Sequence, residues 1–236
     1  MAAKPFKKIL LAAYRTILSL ILRGFFHLLY HQAAWTYDAV AWIVSAGHWQ
    51  DWVSQARKFV RGERVLELGF GPGHLCLDLA REGFDTVGLD LSPQMCRRLN
   101  RKIEILKISG KLNGYAKLPS ILRASGVEMP ILSGTMDTVI ATFPTEYIFF
   151  EKTARECYRV LRDGGRLVLL LSAYTTGETA AEKGSRLLFR WTGQEGVPAA
   201  DWLAPYREAG FRIEVQKIEL GHSQLTVLLG EKRAAD

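Results

Sequence analysis

The run Val65-Leu66-Glu67-Leu68-Gly69-Phe70-Gly71-Pro72-Gly73 constrains this chain more than any other stretch. Arg64–Leu68 reads as a short buried strand, and the glycines after it let the backbone turn tightly. His74–Arg81 then has helical spacing, so the run is a strand-to-helix turn whose free N–H groups face whatever lies above it. Such a turn belongs in a parallel sheet. Thr86–Leu89, Ser120–Ala124, Thr138–Thr142 and Arg166–Leu171 read as further strands. Ser92-Pro93 places a capping residue before a proline at the first helical position, and the helix Glu151–Leu161 stops at Asp163-Gly164-Gly165. Alternating strands and helices argue for a parallel sheet covered on both faces. Phe211–Leu220 and Ser223–Glu231, separated by Gly221-His222, read instead as an antiparallel hairpin on the sheet edge. The expected fold is α/β and Rossmann-like: a seven-stranded, mostly parallel sheet with an antiparallel C-terminal hairpin.

With 236 residues, 48% of them hydrophobic, the chain can bury one sizeable core, and collagen-like or disordered classes are excluded. Cys76, Cys96 and Cys157 sit in helical segments at core-like positions, so neither a disulfide framework nor a metal site is expected, and a reducing compartment is the default. The net charge of +7 is unevenly spread. Residues 1–31 carry five bases and no acid, and residues 97–123 carry eight bases against Glu104 alone. Two basic segments on an otherwise mildly acidic chain point to an anionic surface. No nucleic-acid-binding module accompanies them, so nucleic acid is not expected as a partner.

Phe6 to Tyr30 is strongly apolar, but Arg15 and Arg23 interrupt it, which argues against a membrane span and against a signal peptide. At helical spacing Lys8, Ala12, Arg15, Ser19 and Arg23 form one narrow stripe, opposite Leu10, Ile17, Ile21 and Leu28. A wide apolar face with a basic stripe is how a helix lies in a bilayer interface. Residues 1–31 are therefore expected to hold residues 32–236, the main domain, peripherally and monotopically on the cytoplasmic face of a membrane. The competing reading is a helix that packs on the domain itself or on a second subunit, so an oligomer stays open.

The glycines are spaced G-x-G-x-G, and His74 stands where a dinucleotide fingerprint would have its third glycine. Asp90 ends the second strand. In this architecture an acid there faces ribose hydroxyls; the alternative is a surface acid that caps the helix from Ser92. His48 and His74 have no ligand-like neighbours in sequence and read as structural histidines.

These residues resemble the class I S-adenosylmethionine-dependent methyltransferases, of the small-molecule kind found in quinone and lipid biosynthesis. Glu67–Gly73 is similar to their first motif and Gly88-Leu89-Asp90-Leu91-Ser92-Pro93 to their second. Met136-Asp137-Thr138-Val139 and Leu161-Arg162-Asp163-Gly164-Gly165-Arg166-Leu167 are similar to the runs at the fourth and fifth strands, so residues 62–172 are covered in order. The resemblance implies S-adenosyl-L-methionine as cofactor and no metal. It implies that Glu67, Gly69, Phe70, Gly71 and Gly73 border its methionine part, that Asp90 binds the ribose, and that Leu91 and Met95 flank adenine. Where the family often has an acid for the adenine amino group, this chain has Ser125, followed by Gly126. Thr142 and Phe143, at the end of the fourth strand, complete the expected cofactor set.

Glu146 and Tyr147 in the loop after that strand, with Tyr37 upstream, are the candidate catalytic residues. Phe143 and Tyr147 suit shielding of a sulfonium by their ring faces, and Glu146 suits a general base. The open alternatives are that both rings are packing residues, that Glu146 caps a helix, and that the tryptophans around Tyr37 are core. The 174–196 segment, with four glycines around Leu187, Leu188, Phe189 and Trp191, is expected to close over the acceptor. The expected activity is methyl transfer to a lipophilic acceptor at a membrane surface: a phospholipid headgroup, a quinone precursor or a hydrophobic thiol. The alternatives are a soluble small-molecule methyltransferase with a dimerising helix and a non-catalytic cofactor-binding assembly factor.

Overall fold

Arg64–Leu68 is strand β1, and its last four residues are buried because helices pack on both faces of the sheet there. A computed structural model describes residues 42, 45–115, 117–179, 182, 184 and 200–233. Tyr37, the 1–31 segment and most of the 174–196 segment lie outside the described residues. On one side β1 pairs in parallel with β2 (Asp85–Asp90), which pairs with β3 (Ser120–Arg123). On the other it pairs with β4 (Met136–Thr142), which pairs with β5 (Leu161–Thr175). β6 (Phe211–Leu220) and β7 (Ser223–Lys232) complete the seven-stranded order β3-β2-β1-β4-β5-β7-β6. Only β7 runs against its neighbours, so the mostly parallel sheet and the hairpin are as expected. Leu220 pairs with Ser223, which leaves Gly221-His222 as the two-residue loop.

β5 begins earlier than its periodicity suggests. Leu161 already pairs with Met136, and a register shift then absorbs the Gly164-Gly165 turn before regular pairing resumes at Thr138 and Arg166. The helices are α1 (Trp49–Ala56), α2 (His74–Arg81), α3 (Pro93–Ile108), α4 (Glu151–Val160) and α5 (Ala204–Glu208). Strand alternation divides the core. Val139 and Leu169 meet Ala154 and Cys157 of α4, whereas Ile140 and Val168 meet Trp52 of α1 and Leu75 and Leu79 of α2. Met95, Leu99 and Ile103 of α3 pack with Phe70 and Cys76 in a third cluster. All three cysteines are free and buried.

The start of α3 follows its sequence signals. Ser92 Oγ accepts from Met95 N at 3.3 Å, and Pro93 occupies the first turn. Gly73 has φ +78°, and a Cβ there would come within 2.6 Å of Leu99 Cδ1, so glycine is what lets α3 lie against the turn. Among the described residues no helix is long and apolar enough to cross a membrane, and no three potential metal ligands cluster.

Candidate functional site

After β3 the chain crosses to β4 on the far side of β1. The connections leaving β1 and β4 therefore part, and they open a crevice at the carboxyl edge of the sheet. Gly69–Gly73 follows β1, Asp90 ends β2, Ser125-Gly126 follows β3, and Thr142–Tyr147 spans the end of β4. The fold thus brings these four segments to one edge of the sheet.

Within the turn, Gly69 N donates to Leu89 O at 2.7 Å and Gly73 N to Phe70 O at 2.9 Å. Asp90 ties this turn to α3: Oδ2 accepts from Gly71 N at 2.9 Å and Oδ1 from Ser92 N at 2.8 Å. One carboxylate thus holds a backbone amide of the Gly-rich turn and the amide of the residue that caps α3. A second brace was not legible in the sequence. Lys102 Nζ, reaching from α3, donates to Pro72 O at 2.9 Å and stands 3.2 Å from His74 Nε2. Its only signal was a base beside the buried Leu99 and Ile103 on α3.

Glu67 lies beneath the turn with 2% exposure, and its Oε2 has no hydrogen-bond partner among the described residues. Burial pushes its carboxyl up to about 8; a hydrogen bond with Cys76 offsets this in part, and Asp90 and Asp78 add repulsion. Glu67 accordingly keeps its proton at neutral pH. Burial, and then Glu67, push the Cys76 thiol well above its usual range.

Tyr147 stands between two glycine walls. Its hydroxyl oxygen is 2.7 Å from where a Cβ on Gly69 would sit, and its ring is 3.0 Å from the same point at Gly126. Thr153 Oγ1 donates to Tyr147 O at 2.7 Å, and the Tyr206 hydroxyl donates to Ile148 O at 2.6 Å, which fixes the Glu146–Phe149 turn. Glu146 opens that turn and is exposed. Phe143 has φ +46°, and its ring lies 4.5 Å from Trp49 and 6.2 Å from Trp52, so it packs on α1. Thr142 is the last residue of β4 and half-buried.

On the adenine side, Leu91 is 63% exposed, whereas Met95 is fully buried in the α3 cluster. Ser125 Oγ accepts from Val127 N at 3.4 Å within a local turn. Arg159 clamps the loop beyond it by donating to Met129 O at 3.0 Å and Ile131 O at 2.7 Å. His48 lies 3.8 Å from Glu182 Oε1, and it pins the segment after β5 together with Thr175, which donates to Glu182 O at 3.0 Å.

The groups present suit a nucleoside with a cationic tail. No atom lies within 4 Å of the Cβ position above Gly71, a carboxylate ends β2, and a buried acid with an unpartnered oxygen lies below the turn. A separate cleft of about 310 Å³, lined by Arg64, Ser120, Met136 and neighbours, lies toward the amino ends of the strands, where such sheets do not bind ligands.

Residues 66–169 match the methyltransferase domain family model. The demethylmenaquinone methyltransferase of Symbiobacterium thermophilum is 29% identical over 150 residues, covering 60% of this chain and 57% of that protein. The ubiquinone/menaquinone biosynthesis C-methyltransferase UbiE of Enterobacter sp. (strain 638) is 28% identical over 148 residues, covering 60% of this chain and 56% of its own. The chain thus spans little more than half the length of these curated relatives. Among solved structures, Haemonchus contortus phosphoethanolamine N-methyltransferase 2, in complex with S-adenosyl-L-methionine, shares the fold with a TM-score of 0.59 at 14% identity, over 88% of this chain and 59% of that one. Motif order, strand order and the match over residues 66–169 agree, and this part of the chain is similar to the methyltransferase domain family and has the fold of S-adenosylmethionine-dependent methyltransferases.

Proposed function

We propose that this protein transfers the methyl group of S-adenosylmethionine to a lipophilic acceptor at a membrane surface, with a quinone precursor as the leading acceptor. The observation that carries the reading is the Gly69–Gly73 turn held open at the crevice by Asp90. The names of the relatives favour a quinone precursor over a phospholipid headgroup or a hydrophobic thiol.

The cofactor supplies a methyl group already activated on a sulfonium, so positioning accounts for much of the rate. Gly69, Gly71 and Gly73 would let the main chain approach it, and Asp90, at the end of β2, would accept from the ribose hydroxyls. Tyr147, between Gly69 and Gly126, sets one wall of the reaction space, and Leu91 offers apolar surface to the adenine. Glu146, exposed in the turn after β4, would take a proton from the acceptor. Residues 1–31 hold the protein on the anionic cytoplasmic face of the membrane, which concentrates it where a lipophilic acceptor is dissolved.

The test is incubation of the full chain with S-adenosylmethionine and anionic vesicles that carry a demethylated quinone precursor. S-adenosylhomocysteine and a singly methylated quinone are the expected products by mass spectrometry. Cofactor binding without turnover on the quinone precursor, on phospholipid or on a hydrophobic thiol would overturn the catalytic reading and leave the non-catalytic one.

A further inference from the structure

The outward face of α3 is unlike an ordinary solvated helix face. The helix buries Met95, Cys96, Leu99 and Ile103. On the opposite side, at helical spacing, come Arg97, Arg101, Glu104, Ile105 and Ile108. Ile105 is 56% exposed and Ile108 86% exposed, two branched apolar side chains in water-facing positions. The one acid in the stripe is neutralised, since Glu104 Oε1 accepts from Lys107 Nζ at 2.7 Å. Arg97, Arg101 and Lys111 have no ion-pair partner among the described residues, so the face presents uncompensated positive charge around bare isoleucine.

We propose that this face of α3 is a membrane contact in its own right: Ile105 and Ile108 enter the headgroup region of an anionic bilayer while Arg97 and Arg101, with Lys111 in the turn after the helix, meet its phosphates. The proposal deepens the membrane reading above, and rests on it, by naming a surface within the folded domain. Apolar insertion and basic attraction together are what an interface rewards. A nucleic-acid backbone would engage the bases but gain nothing from two exposed isoleucines. α3 starts three residues after Asp90 and ends at Ile108, so the inserting isoleucines stand at the other end of the helix from the crevice.

The buried state of Cys76, Cys96 and Cys157 makes a direct test practical, since a thiol introduced on the surface will label selectively. Full-length Ile108→Cys is labelled with an environment-sensitive fluorophore, and exposed Lys217→Cys on β6 serves as the control. Phosphatidylglycerol–phosphatidylcholine vesicles should blue-shift the label at 108 and expose it to quenching by brominated lipid. Pure phosphatidylcholine should not, and the label at 217 should not respond. Adding Arg97→Glu and Arg101→Glu should raise the lipid concentration for half-maximal shift about tenfold or more. A label at 108 that stays water-like while the protein floats with anionic vesicles overturns the proposal, because attachment then occurs elsewhere. A protein that does not float, or a shift with RNA but not with vesicles, overturns it as well. Turnover on a detergent-dissolved acceptor is measured separately, so failure of the methyl-transfer reading and failure of this contact are distinguishable.

Discussion

Asp90 holds the site together through both of its oxygens, one on Gly71 N and one on Ser92 N. Asp90→Ala removes the acceptor of two backbone amides and the expected ribose partner in one change. A charged hydrogen bond is worth about 1.5–3 kcal/mol, so calorimetry should find S-adenosylmethionine binding weakened about tenfold or more. Unchanged affinity would remove Asp90 from the site. Glu67 makes a different prediction. Its folded-state value, about 8, stands above its ordinary value of 4.5. The fold therefore binds this proton more tightly than the unfolded chain does. That contribution is fully present below about 4.5 and is lost as pH rises toward about 8. Denaturation measured across that window should show stability falling by up to about 1.4 kcal/mol per pH unit from this group. Glu67→Gln, neutral at every pH, should flatten the profile.

At the scale of elements, α3 links three parts of the molecule: it packs on the Gly73 turn, it starts beside Asp90, and it sends Lys102 to Pro72 O. Lys102→Met keeps the aliphatic stem and removes the ammonium. Cofactor affinity should drop about two- to tenfold in calorimetry, with little change in the melting temperature. Gly73→Ala should be the harsher change, because it combines φ +78° with a clash against Leu99. A melting temperature lowered by several degrees is expected from about 1–3 kcal/mol of strain. The two positions show what a sequence reveals. A turn glycine marks a backbone conformation that other residues rarely adopt, so Gly69–Gly73 could be read directly, as could the Ser92 cap and the Gly221-His222 loop. Strands β1 to β4, β6 and β7 were legible to within two residues because period-two apolar runs ended at such marks. The start of β5 was hidden by pairing across a bulge, which depends on a partner more than twenty residues away. Lys102 was hidden because a lysine on a helix is ordinary until its neighbour in space is known. The placement of Tyr147 between Gly69 and Gly126 depends on three separate loops meeting, and the turn of Phe143 toward Trp49 on two.

For the whole molecule, the two basic segments divide the labour of attachment under the readings proposed above. Deleting residues 1–31 should reduce vesicle flotation strongly, because it removes five bases and the widest apolar face. It should leave S-adenosylmethionine affinity largely intact, since the turn, Asp90 and Glu67 belong to the sheet. Flotation equal to the full-length chain would mean that the N-terminal segment plays no part. One feature of the sheet bears on how such a molecule is made. β7, the last strand in chain order, is not on the edge; it lies between β5 and β6 and, among the described residues, provides the only strand partner of β6. During synthesis β6 emerges first and has nowhere to dock, and the apolar flank of β5 stays uncovered until Ser223–Lys232 arrives. A chain broken off before Ser223 would therefore lose two strands rather than one, and would expose a bare sheet edge to other nascent chains.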